Sequence, residues 1–284
     1  MAASPVLISG LRKRRDFAMK KSGSIPSVLS LIVLALFLAM TVTSANAAQK
    51  SERDLDSCFG DYRGTYIMES LKNGTVVTNK SAEPDRRSAP CSTFKIFNSL
   101  SALDCGVVKD ENEGRRWNHH KYAIKSWNRD HVLATAVSNS VVWYFQELAS
   151  QVGPERMQDY LNKCDYGNKD ISSGITRFWL GESLEISPKE QVVFLKRLVR
   201  DELPFSKRSM AIVRGMIKVK ETEKGILYGK TGTDMKDGKL TLGWFVGYLA
   251  TPSDIHVFAT RIEGEDNCRG ADARAITEKI LESF

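Results

Sequence analysis

Between Gly64 and Glu69, and again between Thr75 and Thr78, apolar and β-branched residues flank Lys72-Asn73-Gly74, and this pattern predicts a β-hairpin. A polar loop from Ser81 to Ala89 leads to Pro90, and the pattern then changes. Phe94, Ile96, Phe97, Leu100 and Leu103 follow helical spacing from Ser92 to Leu103, with Gly106 as the stop. Two further helices are predicted over Val141 to Val152 and Glu155 to Leu161, divided by Gly153-Pro154. Ser187-Pro188 opens an amphipathic helix running to about Arg200. Strand patterns follow at Leu227 to Lys230, Gly243 to Leu249 and His256 to Thr260, joined by turns at Asp237-Gly238 and Pro252-Ser253. A last helix is predicted from Asp272 to Ser283. Hairpin, helices, three-strand meander and helix imply an α+β fold: an antiparallel sheet flanked by helices, with an all-helical lobe inserted between its strands.

Ahead of this pattern stands a different one. Val28 to Val42 is apolar apart from Ser30 and Thr41, is preceded by six basic residues (Arg12, Lys13, Arg14, Arg15, Lys20, Lys21), and is followed by Ala45-Asn46-Ala47. Charged, apolar and small-x-small stretches in that order predict a secretory signal peptide over 1–47, cleaved near Ala47. The apolar run is short for a bilayer core of about 30 Å, so no stable membrane insertion is expected after cleavage. Met19 is a second reasonable start, and Arg14-Arg15-Asp16-Phe17 is a weak twin-arginine signal. Either route predicts an exported protein, periplasmic or extracellular, with one catalytic domain over 48–284.

The leader also disposes of the net charge. Removing its six basic residues and Asp16 from the chain's 41 basic and 34 acidic residues leaves 35 and 33, a balance of +2 rather than +7. A nucleic-acid partner then has little support. With 42% apolar and 26% charged residues, the composition is that of a globular protein. Cys58, Cys91, Cys105, Cys164 and Cys268 include no Cys-x-x-Cys pair, and the four histidines form no His-Glu-x-x-His pattern, so no metal is expected. Five cysteines leave at least one unpaired.

Three short motifs could carry chemistry. In Ser92-Thr93-Phe94-Lys95, hydroxyl and amine share a helix face at i and i+3, and Ser92 lies at a helix N-terminus that favours developing negative charge. Apolar neighbours favour the neutral lysine that a base must be. Lys230-Thr231-Gly232 lies on a strand, where Gly232 permits close approach and Lys230 offers a cation to a carboxylate. A phosphate-binding loop is excluded there: only three residues separate Gly225 from Gly229, and a strand rather than a helix follows. Ser140-Val141-Val142 is the third. Alone each is weak, but chance rarely supplies all three in this order behind an export signal.

With those motifs, Trp127 to His131, Val142 to Gln146, Tyr166-Gly167-Asn168, Ile171 to Ile175, Phe178-Trp179-Leu180 and Gly243 to Gly247, the chain from 58 to 284 resembles a class D (oxacillinase-type) serine β-lactamase of the penicillin-recognising superfamily. The Ser-Asp-Asn and Glu-x-x-Leu-Asn segments of class A are not found. The resemblance implies Ser92 as acylated nucleophile and Lys95 as general base in the form of an N6-carboxylysine, made with CO2 and held by the Trp179 indole. It implies Ser140 as proton relay, Lys230 and Thr231 as the carboxylate site beside Gly232, and the Ser92 and Thr233 amides as oxyanion hole. Val142 and Leu180 become the apolar residues that control water access. No other cofactor is implied, the partners are small-molecule β-lactam antibiotics, and the assembly is a monomer or homodimer. One departure stands out: the arginine that the family carries near the start of the last helix falls on Ala273, one residue from Arg274, which leaves more of the carboxylate binding to Lys230.

Trp127, Trp143 and Trp244 are read as core, Cys91 as a small buried residue, and Lys196, Arg197 and Arg200 as a solvated helix face. Two alternatives to hydrolysis remain: a penicillin-binding or sensor-type protein that acylates but deacylates poorly, and a non-enzymatic binder. A single short apolar segment argues against the sensor, and the full set of motif residues against the binder.

Overall fold

The computed structural model describes residues 50–284, so the leader expected over 1–47 lies outside the described residues. The described residues open with strands β1 (Lys50–Arg53), β2 (Arg63–Ser70) and β3 (Val76–Asn79). Helix α1 (Lys95–Asp104) follows, then a two-strand ribbon of β4 (Gly114–Arg115) and β5 (His131–Val132). Helices α2 (Leu133–Ser138), α3 (Val142–Val152), α4 (Pro154–Cys164), α5 (Pro188–Val199) and α6 (Lys207–Met216) complete the lobe. Strands β6 (Lys218–Thr222), β7 (Gly225–Lys236), β8 (Lys239–Ala250) and β9 (Ile255–Glu263) lead to helix α7 (Gly270–Glu282). The main sheet runs β1-β3-β2-β9-β8-β7-β6. This is the α+β architecture expected, with the lobe inserted between β3 and β6, although the ribbon β4–β5 means that the lobe is not all-helical.

Alternation along the central strands makes two cores. Trp244, Val246 and Tyr248 of β8 and Val257 and Ala259 of β9 face the helical lobe, packing with residues such as Phe94, Phe97 and Leu195. The intervening Phe245, Leu249, Phe258 and Ile262 face α7 and its Ala273, Ile276 and Ile280. Because both faces are covered, β8 is a nearly unbroken apolar run. Ser187 starts α5 with a reciprocal cap: its Oγ accepts from the Glu190 amide (3.2 Å) and its own amide donates to Glu190 Oε2 (2.8 Å).

The structure departs from the pattern reading in several places. The sheet is not wholly antiparallel, because β1 pairs parallel to β3. Strands β1 and β6 are polar edges (Lys-Ser-Glu-Arg and Lys-Val-Lys-Glu-Thr) with no alternation to announce them. Helix α2 has six residues, too few for a period to register. The basic face of α5 is not simply solvated. Lys196 pairs with Glu69 (2.8 Å), Arg197 donates to the Cys164 carbonyl (2.7 Å) and Arg200 to the Leu71 carbonyl (3.2 Å). These side chains tie α5 to β2, to the end of α4 and to the hairpin. All five cysteines are free thiols.

Candidate active site

Three pieces of chain converge where β7 loses its outer neighbour. Strand β6 pairs β7 only from Gly225 to Tyr228, so from Lys230 onward that edge meets the turn ahead of α1 rather than another strand. Residues Cys91–Phe94 form that turn as a 3-10 helix, and the α-helix proper begins at Lys95. Ser92 is therefore inside a tight turn, not on the first α-helical turn. Gly232 allows the approach: a Cβ there would stand 3.0 Å from the Pro90 carbonyl oxygen and 3.3 Å from the Thr93 amide.

Across the turn, Lys95 Nζ lies 2.8 Å from Ser92 Oγ. Lys95 is fully buried, and its Nζ sits 5.3 Å from the Phe145 ring centre. Desolvation, with the charge of Lys230 nearby, holds the amine well below the ordinary lysine range. Trp179 is also fully buried, with its ring stacked on Phe94 at 5.5 Å and crossed edge-on by Phe178 at 5.0 Å. Its indole N–H has no hydrogen-bond partner among the described residues. A buried donor without an acceptor costs about 1–3 kcal/mol, so it marks a place where an acceptor belongs.

Ser140 arrives from the helical lobe on a strained backbone. The end of α2 closes as a Schellman motif, with the Ser140 amide donating to the Val137 carbonyl (3.2 Å) and the Val141 amide to the Ala136 carbonyl (2.9 Å). Ser140 takes the position glycine usually holds, at φ 54°. What it gains is a 2.5 Å hydrogen bond from Lys230 Nζ, which also donates to the Thr231 carbonyl (2.9 Å). Lys230 is 5% exposed, and burial pushes its amine down to about 7. Two tryptophans brace this corner: Trp143 Nε1 donates to the Trp127 carbonyl (3.0 Å) and Trp127 Nε1 to the Asn139 carbonyl (2.9 Å). Trp143 is buried as expected, Trp127 is only half-buried against the core, and the polar edges of both hold the loop before Ser140.

The chain as a whole has relatives of known type. Residues 60–282 match the family model of the penicillin-binding protein transpeptidase domain. A probable β-lactamase of Bacillus subtilis, YbxI, is 41% identical over 269 residues, covering 94% of this chain and 98% of its own. A crystal structure of a class D β-lactamase from the same organism superposes with a TM-score of 0.77 at 41% identity, over 82% of this chain and 95% of that one.

The chain belongs to the class D β-lactamases.

It is a hydrolase of that type. A second solved structure, the C-terminal domain of the Bacillus licheniformis BlaR penicillin-receptor, superposes at a TM-score of 0.80 with 33% identity, over 84% of this chain and 97% of that one. The same fold thus serves a receptor.

The motif residues form two contacting pairs, Ser92 with Lys95 and Ser140 with Lys230, with the charge of Lys230 felt at Lys95 and with Thr231, Gly232 and Thr233 following along the edge of β7. Thr233 Oγ1 accepts from the Gly270 amide (2.9 Å), joining this edge to the start of α7. Val142 opens α3, directly after the Ser140 turn, and half-buried Leu180 follows Trp179. Ala273 is fully buried and faces the core, so it offers no cation. Arg274, set aside in the motif reading, lines a cavity of about 230 Å³ with Ser138, Lys230 and Thr231, and pairs with Glu278 at 2.7 Å. Its i+4 spacing to Glu278 was visible in the sequence. That its helix lies beside the Lys230 edge was not.

Proposed function

We propose that this protein is an exported serine β-lactamase that opens the β-lactam amide through a Ser92 acyl-enzyme. The 2.8 Å contact between Ser92 Oγ and a fully buried Lys95 amine carries the reading, because it puts a base built on Lys95 within reach of the serine proton, and the neutral amine that burial favours is the form that adds CO2. Ser92 Oγ attacks the lactam carbonyl, with the Ser92 and Thr233 amides receiving the oxyanion. The C–N bond breaks as Ser140 passes a proton to the ring nitrogen, drawing on its contact with Lys230. Lys230, with Thr231, binds the substrate carboxylate. Water then attacks the acyl carbonyl and releases Ser92, with its approach controlled by Val142 and Leu180.

Lys95 is read as an N6-carboxylysine, formed by addition of CO2 to the neutral amine with loss of a proton. The carbamate supplies an anionic base for both steps. The unpartnered Trp179 N–H supports this, since a buried donor beside an otherwise apolar pocket suits a new anion. Export and cleavage near Ala47 belong to the same reading and rest on the sequence pattern, and N-terminal sequencing of secreted protein tests them.

The likeness to a penicillin-receptor domain favours one rival: a protein that acylates and stops. Purified protein mixed with a chromogenic cephalosporin separates the two. Repeated turnover, absent from Ser92→Ala, is expected of the hydrolase. One stoichiometric burst with a stable adduct on Ser92 defeats hydrolysis and supports the receptor-like reading.

A further inference from the structure

Arg261 is a full-length cation in the middle of the sheet, and the chemistry above does not use it. On β9 it faces the helical lobe, in register with Trp244 of β8, and only 2% of its side chain is exposed. A buried guanidinium is costly unless its donors are matched. Its Nη1 donates to the Arg86 carbonyl (2.6 Å) and reaches Ser88 Oγ at 3.4 Å, while Nη2 lies 3.5 Å from Glu83 and Nε 3.7 Å from Glu263. Both carboxylates have outer partners as well, Glu83 in Arg63 (2.5 Å) and Glu263 in Arg86 (2.6 Å).

What this fork grips is the chain that delivers the nucleophile. Residues 86–90 run directly into the turn that presents Ser92. Arg261 holds the Arg86 carbonyl and the Ser88 hydroxyl from the sheet side. Its register neighbour Trp244 holds the Ala89 carbonyl through Nε1 (3.0 Å). From the lobe side, Ser88 exchanges backbone hydrogen bonds with Ile186 at 3.1 and 2.9 Å. Anchors at Arg86, Ser88 and Ala89 thus precede Pro90, and those from Arg261 and Trp244 come from one face of the sheet. Cys91, the next residue, needs such support: it is a non-glycine residue at φ 49°, a conformation that persists only where its surroundings impose it.

We infer that Arg261 is a positioning residue for the nucleophile, setting Ser92 Oγ through segment 86–90 without touching the substrate. The inference rests on the acyl-enzyme reading and deepens it. A misplacement of about 1 Å in a reacting group costs up to roughly a hundredfold in rate, and part of the segment stays anchored by Trp244 and Ile186, so a loss of about tenfold in acylation is expected.

The test uses the full mature protein as wild type, Arg261→Met, which keeps volume without donors, and Arg261→Lys, which keeps charge and can serve one acceptor but not the fork. Stopped-flow acylation by a chromogenic cephalosporin gives the acylation rate constant and the dissociation constant of the initial complex separately. The Met variant is expected to acylate about tenfold more slowly with initial binding within about twofold of wild type, and the Lys variant to fall between. A folded Met variant that acylates at the wild-type rate, whatever its melting temperature, overturns the assignment, as does a loss shared equally by binding and acylation. If the Met variant does not fold, the Lys variant decides: wild-type acylation in it overturns the fork. Wild-type protein that forms no adduct at all overturns the acyl-enzyme reading itself, which is a distinct result.

Discussion

Trp179→Phe removes one N–H and keeps an aromatic ring. In the structure that N–H is fully buried and unpartnered, while the ring stacks on Phe94 and meets Phe178. The variant is therefore expected to behave differently with and without bicarbonate. Without it, Lys95 is a free amine and the substitution deletes a donor that was bonded to nothing. The relief of an unmet donor, about 1–3 kcal/mol, is offset by the void that a smaller ring leaves, so the net stability change should stay within about 1 kcal/mol. With bicarbonate, the donor has an anionic acceptor to serve. A hydrogen bond to a charged group contributes about 1.5–3 kcal/mol, which at about 1.4 kcal/mol per tenfold means a bicarbonate requirement raised roughly 10- to 150-fold. The assay is steady-state turnover after acidification and degassing, titrated back with bicarbonate, beside the carbamate carbon signal from labelled bicarbonate. Wild-type melting temperature should also rise with bicarbonate more than that of the variant. A variant with the wild-type bicarbonate requirement, or no carbamate signal in either protein, refutes the reasoning and leaves Lys95 as a plain amine base.

Lys230 predicts a pH-dependent stability. Its folded value near 7 lies below the ordinary 10.5, so between those values the unfolded chain holds the extra proton and stability rises with pH; urea titrations from pH 7 to 10 should show a rise that Lys230→Met flattens, and parallel curves would defeat it. The same value predicts that substrate carboxylate binding weakens as pH climbs above 7, because a neutral amine no longer pairs with it; calorimetry in buffers of different ionisation enthalpy should register proton uptake on binding, and affinity constant from pH 6 to 9 counts against the role. Ser140→Gly should be more stable than Ser140→Ala by about 1 kcal/mol, since only glycine is unstrained at φ 54°, while both lose acylation; equal stabilities would show that the turn is not strained. Gly232→Ala places a methyl 3.0 Å from the Pro90 carbonyl and should slow acylation with little change in fold, as read by burst kinetics and circular dichroism; an unaltered burst would mean that the turn yields freely.

Much of the site was legible because its chemistry is encoded in short spacings. Ser92 and Lys95 are three residues apart, and any helical turn, α or 3-10, brings i and i+3 together. Lys230, Thr231 and Gly232 are consecutive on a strand whose alternation is plain. The two-sided apolar run of β8, the Asn73-Gly74 hairpin and the Ser187-Pro188 helix start are likewise local, set by side-chain period and backbone preference. What needed the fold is what depends on distant pieces meeting. Ser140 is 90 residues from Lys230 in sequence, and only the end of α2 against the open edge of β7 brings them into contact. Arg274 was set aside because a gapless count placed Ala273 at the arginine site, yet the turn of α7 carries Arg274 to the cavity beside Lys230. Edge strands β1 and β6 are polar, and only pairing partners make them strands. Arg261 follows two apolar residues of the same sheet face, a position where the period predicts core and no local rule predicts a cation. Its meaning lies in the carbonyls that segment 86–90 brings to it from far along the chain, since a buried charge is explained by its partners and those partners are fixed by topology.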